Sequence, residues 1–306
     1  MDSVLVIGAG ELGLCILEAL AAHPNRAHVK VSVLMRQATL DSAAPAKKRT
    51  VHNIQNLNVH FESADVVAAS VEELAEIFSK YHTVVSCSGM ELPSGTQTKL
   101  AEAALQAQVR RFFPWQFGMD YDVIGQGSSQ DLFDEQLHVR KMLRGQSSTE
   151  WVIVSTGVFM SFLFVAAFGV VDFGAKTVRG LGSWENRITA TTPRDIGRVT
   201  AEVVLNPGDV KNQVVYTAGD TVSYSALADL LDERFGERFT RELWDLDELK
   251  RQVREHPADT MVKYRDTFAQ GRGVAWNKEG TLNARRGMEM VDVGGYLKAM
   301  DVTLGQ

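Results

Sequence analysis

Cysteine is scarce in this chain, with Cys15 and Cys87 the only two among 306 residues. Two thiols build neither a disulfide framework nor a four-ligand zinc site, and neither stands in a C-x-x-C pair, so a reducing, cytoplasmic setting is expected. Net positive charge is also missing. The 32 Lys and Arg against 38 Asp and Glu leave −6, which argues against a general polyanion-binding surface and against nucleic acid as a partner. Long apolar runs are absent too. The most apolar stretch, Val158 to Val171, is broken by Ser161 and Gly169 and falls short of the ~18–20 residues of a membrane span. Met1-Asp2-Ser3 carries no basic segment, and Gly8 and Gly10 interrupt the apolar run behind it, so neither a signal peptide nor a membrane partner is expected. None of the seven histidines falls in H-x-x-x-H, and there is no G-x-S-x-G. No metal site and no serine nucleophile elbow are expected.

What is present is a chain that is 45% hydrophobic, long enough for one large domain or two intimate ones. Short apolar runs recur along its first half, at Ser3–Ile7, Val29–Leu34, Val59–Phe61, His82–Ser86, Arg111–Phe113 and Trp151–Ser155. Between them lie segments of helical spacing, among them Leu14–Ala22, Val71–Phe78 and Lys99–Gln108. Near-continuous apolar strands alternating with helices predict a parallel sheet covered on both faces. The expected class is α/β: a Rossmann, doubly wound parallel sheet with a smaller C-terminal α/β substrate domain.

The first strand runs into Gly8-Ala9-Gly10-Glu11-Leu12-Gly13, a G-x-G-x-x-G placed between a strand and a helix, as dinucleotide binding requires. Gly8 makes the tight turn, Gly10 lets a pyrophosphate approach the backbone, and Gly13 lets the helix pack on the sheet. The first-turn residues Glu11 and Leu12 add free N–H groups at the positive end of the helix. An NAD-binding strand would end in an acid that bonds the ribose 2′-hydroxyl. Here Val33-Leu34-Met35-Arg36-Gln37 has none. Arg36 instead offers a guanidinium to a 2′-phosphate. Lys47-Lys48-Arg49 follows soon after, and Lys48 is a candidate second cation unless the triplet is simply a solvated helix face. The expected cofactor is NADP(H).

Three further segments carry a resemblance: Arg111-Phe112-Phe113-Pro114-Trp115-Gln116-Phe117-Gly118, Phe133 to Lys141, and Val154-Ser155-Thr156-Gly157-Val158-Phe159. They are similar to the R-F-F-P-S-E-F-G string, the F-x-x-K-x-x-x-R-R helix and the turn after the sixth strand of the NmrA-like family. That family is an atypical branch of the short-chain dehydrogenases which includes the isoflavone reductase-like proteins. The wording around Trp115-Gln116 and Gly182 to Arg187 resembles fungal members associated with secondary metabolism. The resemblance implies a Rossmann domain over residues 1–155, a substrate domain over residues 156–306, and a nicotinamide in the cleft between them. It implies that Ser88 and Gly89 lie beside the cofactor. It also implies that Trp115, Phe117, Val158 and Phe159, on the Phe113–Gly118 loop and the Gly157–Phe159 turn, flank the nicotinamide.

The chain departs from the family at one telling place. Reductases of this group carry a lysine in the F-x-x-K helix, and counting from Phe133 this chain has Gln136. A primary amide hydrogen-bonds but does not act as an acid or base near neutral pH. None of the six tyrosines has a lysine four positions on, so the Tyr-x-x-x-Lys alternative is missing as well. Gln136 remains the candidate at the reacting end. The proton is left to water, substrate or another residue such as Tyr121. Trp115 stands where the family often has serine, and it suits stacking on an aromatic substrate or the nicotinamide, with core packing the alternative. His138, about 200° around a helix from Gln136, reads as a surface residue.

In the second half, Lys176–Arg179 and Arg187–Ala190 read as short strands around a Gly180–Gly182 turn, and Val214–Thr217 as another. Thr192 and Ser223 cap helices, the second running to Phe235, and Leu243–Glu255 reads as a charged helix. Phe159, Phe162, Phe164, Phe168 and Trp184 imply either a bulky apolar substrate or core, and Gly271 to Trp276 a lid. The expected function is an NADP(H)-dependent oxidoreductase acting on an apolar, heterocyclic small molecule in fungal secondary metabolism. The alternatives are a redox-neutral cyclase or isomerase that retains NADP(H), and a cofactor-sensing regulator that binds a partner protein. The sequence does not set the oligomeric state.

Overall fold

The computed structural model describes residues 3–301. Along the first part of the chain run β1 (Ser3–Ile7), α1 (Glu11–Ala22), β2 (Lys30–Met35), α2 (Gln37–Leu40), α3 (Pro45–Asn56), β3 (His60–Ser63), α4 (Val71–Phe78), β4 (Thr83–Ser86), α5 (Thr96–Gln106) and β5 (Arg111–Phe113). There follow α6 (Tyr121–Ile124), α7 (Leu132–Arg144), β6 (Glu150–Ser155), β7 (Val158–Phe159), β8 (Val171–Asp172), β9 (Thr177–Leu181), β10 (Arg187–Thr191), α8 (Pro193–Leu205) and β11 (Gln213–Tyr216). The chain ends in β12 (Asp220–Ser223), α9 (Tyr224–Phe235), β13 (Thr240–Trp244), α10 (Leu246–Glu255), α11 (Thr260–Ala269), α12 (Leu282–Arg285) and α13 (Val293–Ala299). None of the helices described is long and apolar enough to cross a membrane.

Seven strands form one sheet in the order β11-β6-β5-β4-β1-β2-β3. The pairs from β3 to β6 are all parallel. Strand order reverses between β1 and β4, which is the switch point of a doubly wound sheet. Leu5 and Ile7 of β1 join a core with Leu74 and Phe78 of α4, Leu100 of α5, and Val139 and Leu143 of α7. Val4 and Val6 alternate to the other face and are equally buried. That explains why β1 is apolar at every position rather than at alternate ones.

Two compact units partition the chain. The first holds residues 1–117, 135–154 and 196–215; the second holds residues 118–134, 155–195 and 216–306. The sequence reading draws one boundary after residue 155, whereas these units interleave. Residues 196–215 return to the first unit because α8 packs on α1, so closely that a Cβ on Gly197 would overlap the Cys15 carbonyl, and because β11 extends the large sheet.

The second unit carries two three-stranded sheets, β12-β10-β7 and β13-β9-β8. The strands on either side of Gly180–Gly182 therefore belong to different sheets. Rings of Tyr121, Phe133, Tyr264, Phe268, Phe168 and Phe162 pack at centroid separations of 4.7–5.8 Å. The aromatics at Phe162 and Phe168 thus serve the core.

Two expectations need correction. Leu243 and Trp244 do not begin a helix but finish β13, paired residue for residue with β9. Thr, Leu and Trp fit a pleated strand, and the helix starts only where the Asp245 carboxylate accepts from the Glu248 N–H at 2.9 Å. Trp276 is no free lid. Its backbone N–H donates to Thr189 Oγ1 at 3.1 Å, its carbonyl accepts from Thr221 Oγ1 at 3.0 Å, and its indole N–H donates to the Thr217 carbonyl at 3.2 Å.

Arg111 locks the first unit together. Its buried guanidinium donates to the carbonyls of Val203 and Val210 at 3.2 and 3.1 Å, closing the C-terminal end of α8. Burial pulls its pKa down while Glu150, 3.8 Å away, supports the charge. Arg111→Met should lower unfolding free energy by about 1–3 kcal/mol, because it leaves buried carbonyls unpaired. Arg111→Lys should recover only part of this, since a point charge lacks the fork. Chemical denaturation followed by circular dichroism measures both, and an unchanged midpoint for the methionine variant would contradict the assignment.

Candidate functional site

The site is built outward from the turn between β1 and α1. Gly8 takes φ +90°, a left-handed value that L side chains rarely adopt, and a Cβ there would overlap Ser88 Oγ. Its N–H donates to the Leu34 carbonyl at 3.0 Å. A Cβ on Gly13 would overlap the Gly8 carbonyl oxygen. These two glycines are therefore required by packing alone. Gly10 differs: its φ is an ordinary −74°, and nothing lies within 4 Å of where its Cβ would be. It caps α1 without a side-chain hydrogen bond. Glu11 is exposed beside it, whereas Leu12 is buried.

Arg36 follows β2 directly, at the cap of α2, and is exposed. Lys48 lies on the exposed side of α3. Among the described residues no hydrogen bond or ion pair engages either cationic head, and no carboxylate stands at the end of β2.

The segments after β4 and β5 meet next. Ser88 Oγ donates to the Ile7 carbonyl at 3.3 Å, and the Ser88 carbonyl accepts from Gln97 Nε2 at 2.9 Å. A Cβ on Gly89 would land on the indole of Trp115. Trp115 is half-buried and Phe117 buried. Burial pushes the Cys87 thiol up, so it is no ready nucleophile.

Gln116 ties this loop to α7. Its Nε2 donates to the Gln136 carbonyl at 2.9 Å, and its Oε1 accepts from Arg140 Nε at 2.7 Å. Gln136 itself is 0% exposed, and neither Nε2 nor Oε1 of its side chain has a hydrogen-bond partner. One residue before, Glu135 accepts from the Thr98 N–H at 3.0 Å and so caps α5, whose own cap is Gly95. Sequence reasoning missed Gln97, Gln116, Glu135 and Arg140 as shapers of the site. The legible signal was Gln116, an amide where the R-F-F-P-S-E-F-G string has an acid. His138 is exposed, as its helical angle requires.

The remaining candidates belong to the second unit. Tyr121 is buried against Phe133, and a Cβ on Gly118 would collide with its hydroxyl. The Gly118 carbonyl accepts from the N–H groups of Thr156 and Gly157 at 2.8 and 3.0 Å, which joins that loop to the turn before β7. Gly157 takes φ +70° against the Thr189 carbonyl. Val158 and Phe159 then pair with Ala190 and Thr191 of β10. Tyr264, in contact with Phe133, is pushed up by burial and then by Tyr121, so it keeps its proton near neutral pH. Among the described residues no group of three His, Cys, Asp or Glu side chains is placed to hold a metal.

Comparison with known proteins agrees with this architecture. The model of the NmrA-like family matches residues 1–290. An NmrA-like family domain-containing oxidoreductase of Gibberella moniliformis is 56% identical over 304 residues, covering 99% of both chains. Among solved structures, isoflavone reductase superposes with a TM-score of 0.79 at 19% identity over 97% of this chain and 98% of its own. The leucoanthocyanidin reductase–NADPH complex of Vitis vinifera does so with 0.76 at 17% over the same shares. These structural likenesses establish the fold, and with the near full-length family match they lead to one conclusion: the chain belongs to the NmrA-like family.

Proposed function

We propose that this protein is an NADP(H)-dependent oxidoreductase acting on an apolar, heterocyclic small molecule. The observation that carries the proposal is Gly10. Packing accounts for Gly8 and Gly13, but nothing among the described residues requires a bare α-carbon at Gly10, where a Cβ would meet open space. A ligand that approaches the backbone at the head of α1 does require it. The residues present fit a dinucleotide. The N–H groups of the uncapped first turn suit a pyrophosphate. Arg36, with no acid beside it, suits a 2′-phosphate, and Lys48 is the second cation in this reading. Ser88, Gly89, Trp115 and Phe117 follow strand ends at the edge where doubly wound sheets bind ligands. Val158 and Phe159 are assigned to the nicotinamide by resemblance. The Gibberella relative is described as an oxidoreductase, and the Vitis reductase was solved with NADPH. The resemblance around Trp115 and Trp184 extends the proposal to fungal secondary metabolism.

When bound, NADPH supplies a hydride. The chain's part is positioning: α1 and Arg36 hold the two ends of the charged portion, and Trp115 offers a flat apolar face to substrate. Gln136 replaces the family's lysine, so no ammonium delivers a proton from that position. Water, substrate or Tyr121 is the source in this reading. The same substitution favours a second reading, a redox-neutral cyclase or isomerase that keeps the cofactor, because an amide shapes a site without titrating. Net NADPH consumption per product separates the two.

Arg36→Ala should weaken NADPH binding by ~1.5–3 kcal/mol, roughly tenfold to a hundredfold, and leave NADH nearly unchanged. Fluorescence titration of both nucleotides reads this. Equal affinity of the parent for both would remove the NADP assignment. Gly10→Val should abolish binding of either nucleotide while the circular dichroism spectrum and thermal midpoint stay near the parent's, because a Cβ there has no protein atom within 4 Å. Normal titration of that variant would reduce the motif to a turn.

A further inference from the structure

β13 is the last strand of its sheet, paired with β9 on one side and with no other strand among the described residues. Its hydrogen-bonding parity is fixed. The Thr240 N–H donates to the Lys176 carbonyl at 2.8 Å, and the Trp244 carbonyl accepts from the Gly182 N–H at 2.7 Å. Thr240, Glu242 and Trp244 therefore bond toward β9, and the backbone groups of Arg241 and Leu243 turn outward. Edge strands are ordinarily guarded by proline, a bulge or lysine. β13 reads Thr-Arg-Glu-Leu-Trp, without proline or lysine, and its register with β9 is continuous. Its two charges are engaged within the chain, Arg241 with Asp229 and Asp232 and Glu242 with Arg179. Leu243 is 47% exposed.

We infer that β13 pairs antiparallel with β13 of a second copy of this chain, across a two-fold axis at Leu243. Outward-facing backbone must meet outward-facing backbone, which leaves few centres. A centre at Glu242 sets two carboxylates opposite each other, and one at Arg241 two guanidiniums, and both are unfavourable. The centre at Leu243 sets leucine against leucine, Arg241 against Asp245, and Glu242 against Trp244. Asp245 is itself extended, at φ −72° and ψ 175°, so it can continue the strand. The Glu242–Trp244 pairing supplies a missing counter-charge. Arg179 and Arg265 both stand over the Trp244 ring, 4.9 and 5.0 Å from its centroid. Arg179 donates to Glu242 Oε2 at 2.7 Å, whereas among the described residues Arg265 has no carboxylate at ion-pair distance and Glu242 Oε1 has no partner. Burial disfavours the Arg265 charge, Asp259 offsets this from farther away, and Arg179 adds repulsion. In the paired strands Glu242 of the second copy comes to the side of Trp244, where these two arginines stand. The contact is small, so the dimer is a weak one, with Kd on the order of 10 μM.

The residues involved all belong to the second unit, and the test needs no nucleotide, so it stands apart from the proposed function. Sedimentation velocity on the full chain, from about 1 to about 200 μM, should show a shift from monomer to dimer. Leu243→Lys and Glu242→Lys, at exposed positions, should keep the parent's circular dichroism spectrum. Each should weaken the dimer at least roughly tenfold, the first by placing like charges at the axis and the second by facing lysine toward Arg265. Register is read by cysteine. Leu243→Cys should give a disulfide-linked dimer under mild oxidation, because facing residues of a hydrogen-bonded antiparallel pair stand about 5.5 Å apart at Cα. Glu242→Cys places the two thiols on the diagonal, roughly 7–8 Å apart, and should not cross-link above the parent. A parent that stays monomeric throughout the range overturns the inference. So does a dimer that both lysine variants keep, or equal cross-linking through the two cysteines.

Discussion

The first turn of α1 lies so close to the end of β1 that no side chain fits between them, and the site's other features follow from that approach. A Cβ on Gly13 would occupy the space of the Gly8 carbonyl oxygen, and one on Gly8 the space of Ser88 Oγ. With α1 drawn in this far, its free N–H groups emerge at the switch point between β1 and β4, where a bound anion would meet both the helix dipole and the edge of the sheet. The same approach sets the residues after β4. Ser88 is anchored on the Ile7 carbonyl and its own carbonyl holds Gln97 near the start of α5. Glu135 of α7 caps that same helix at Thr98. A chain of short contacts thus runs from the glycine turn to the turn of α7 that carries Gln136, entirely within the first unit.

Much of this was legible in the sequence, for identifiable reasons. β1, β5 and α4 fall where their residues predict, because uninterrupted apolar runs and a helical apolar stripe each have one economical solution. Ser223 caps α9 as its position before an amphipathic run requires. The packing roles of Gly8 and Gly13 were readable because the motif has a mechanism. β13 was not, since five residues next to a charged helix carry no period of their own and their pairing partner lies far back at β9. Nor was the fixed position of Trp276, where two glycines indicate freedom while the surrounding threonines provide the anchors. Arg111 looked like part of a family string. Its use, closing a helix that ends more than ninety residues later, is a tertiary fact.

At two positions where the family strings carry ionisable groups, the acid of R-F-F-P-S-E-F-G and the lysine of F-x-x-K, this chain has Gln116 and Gln136. The two changes belong together physically. Gln116 donates through Nε2 to the Gln136 carbonyl while accepting from Arg140 through Oε1. A glutamate at position 116 has no hydrogen to donate when ionised, so it cannot make both contacts at once. A lysine at 136, where the side chain is 0% exposed, would face the cost of desolvating its charge. Glutamine at both positions avoids that cost and keeps the loop locked to the helix. Position 136 thereby carries a group that hydrogen-bonds but does not titrate near neutral pH. If it stands at the reacting end, as the resemblance implies, proton movement falls to the substrate, to solvent or to a residue elsewhere in the fold.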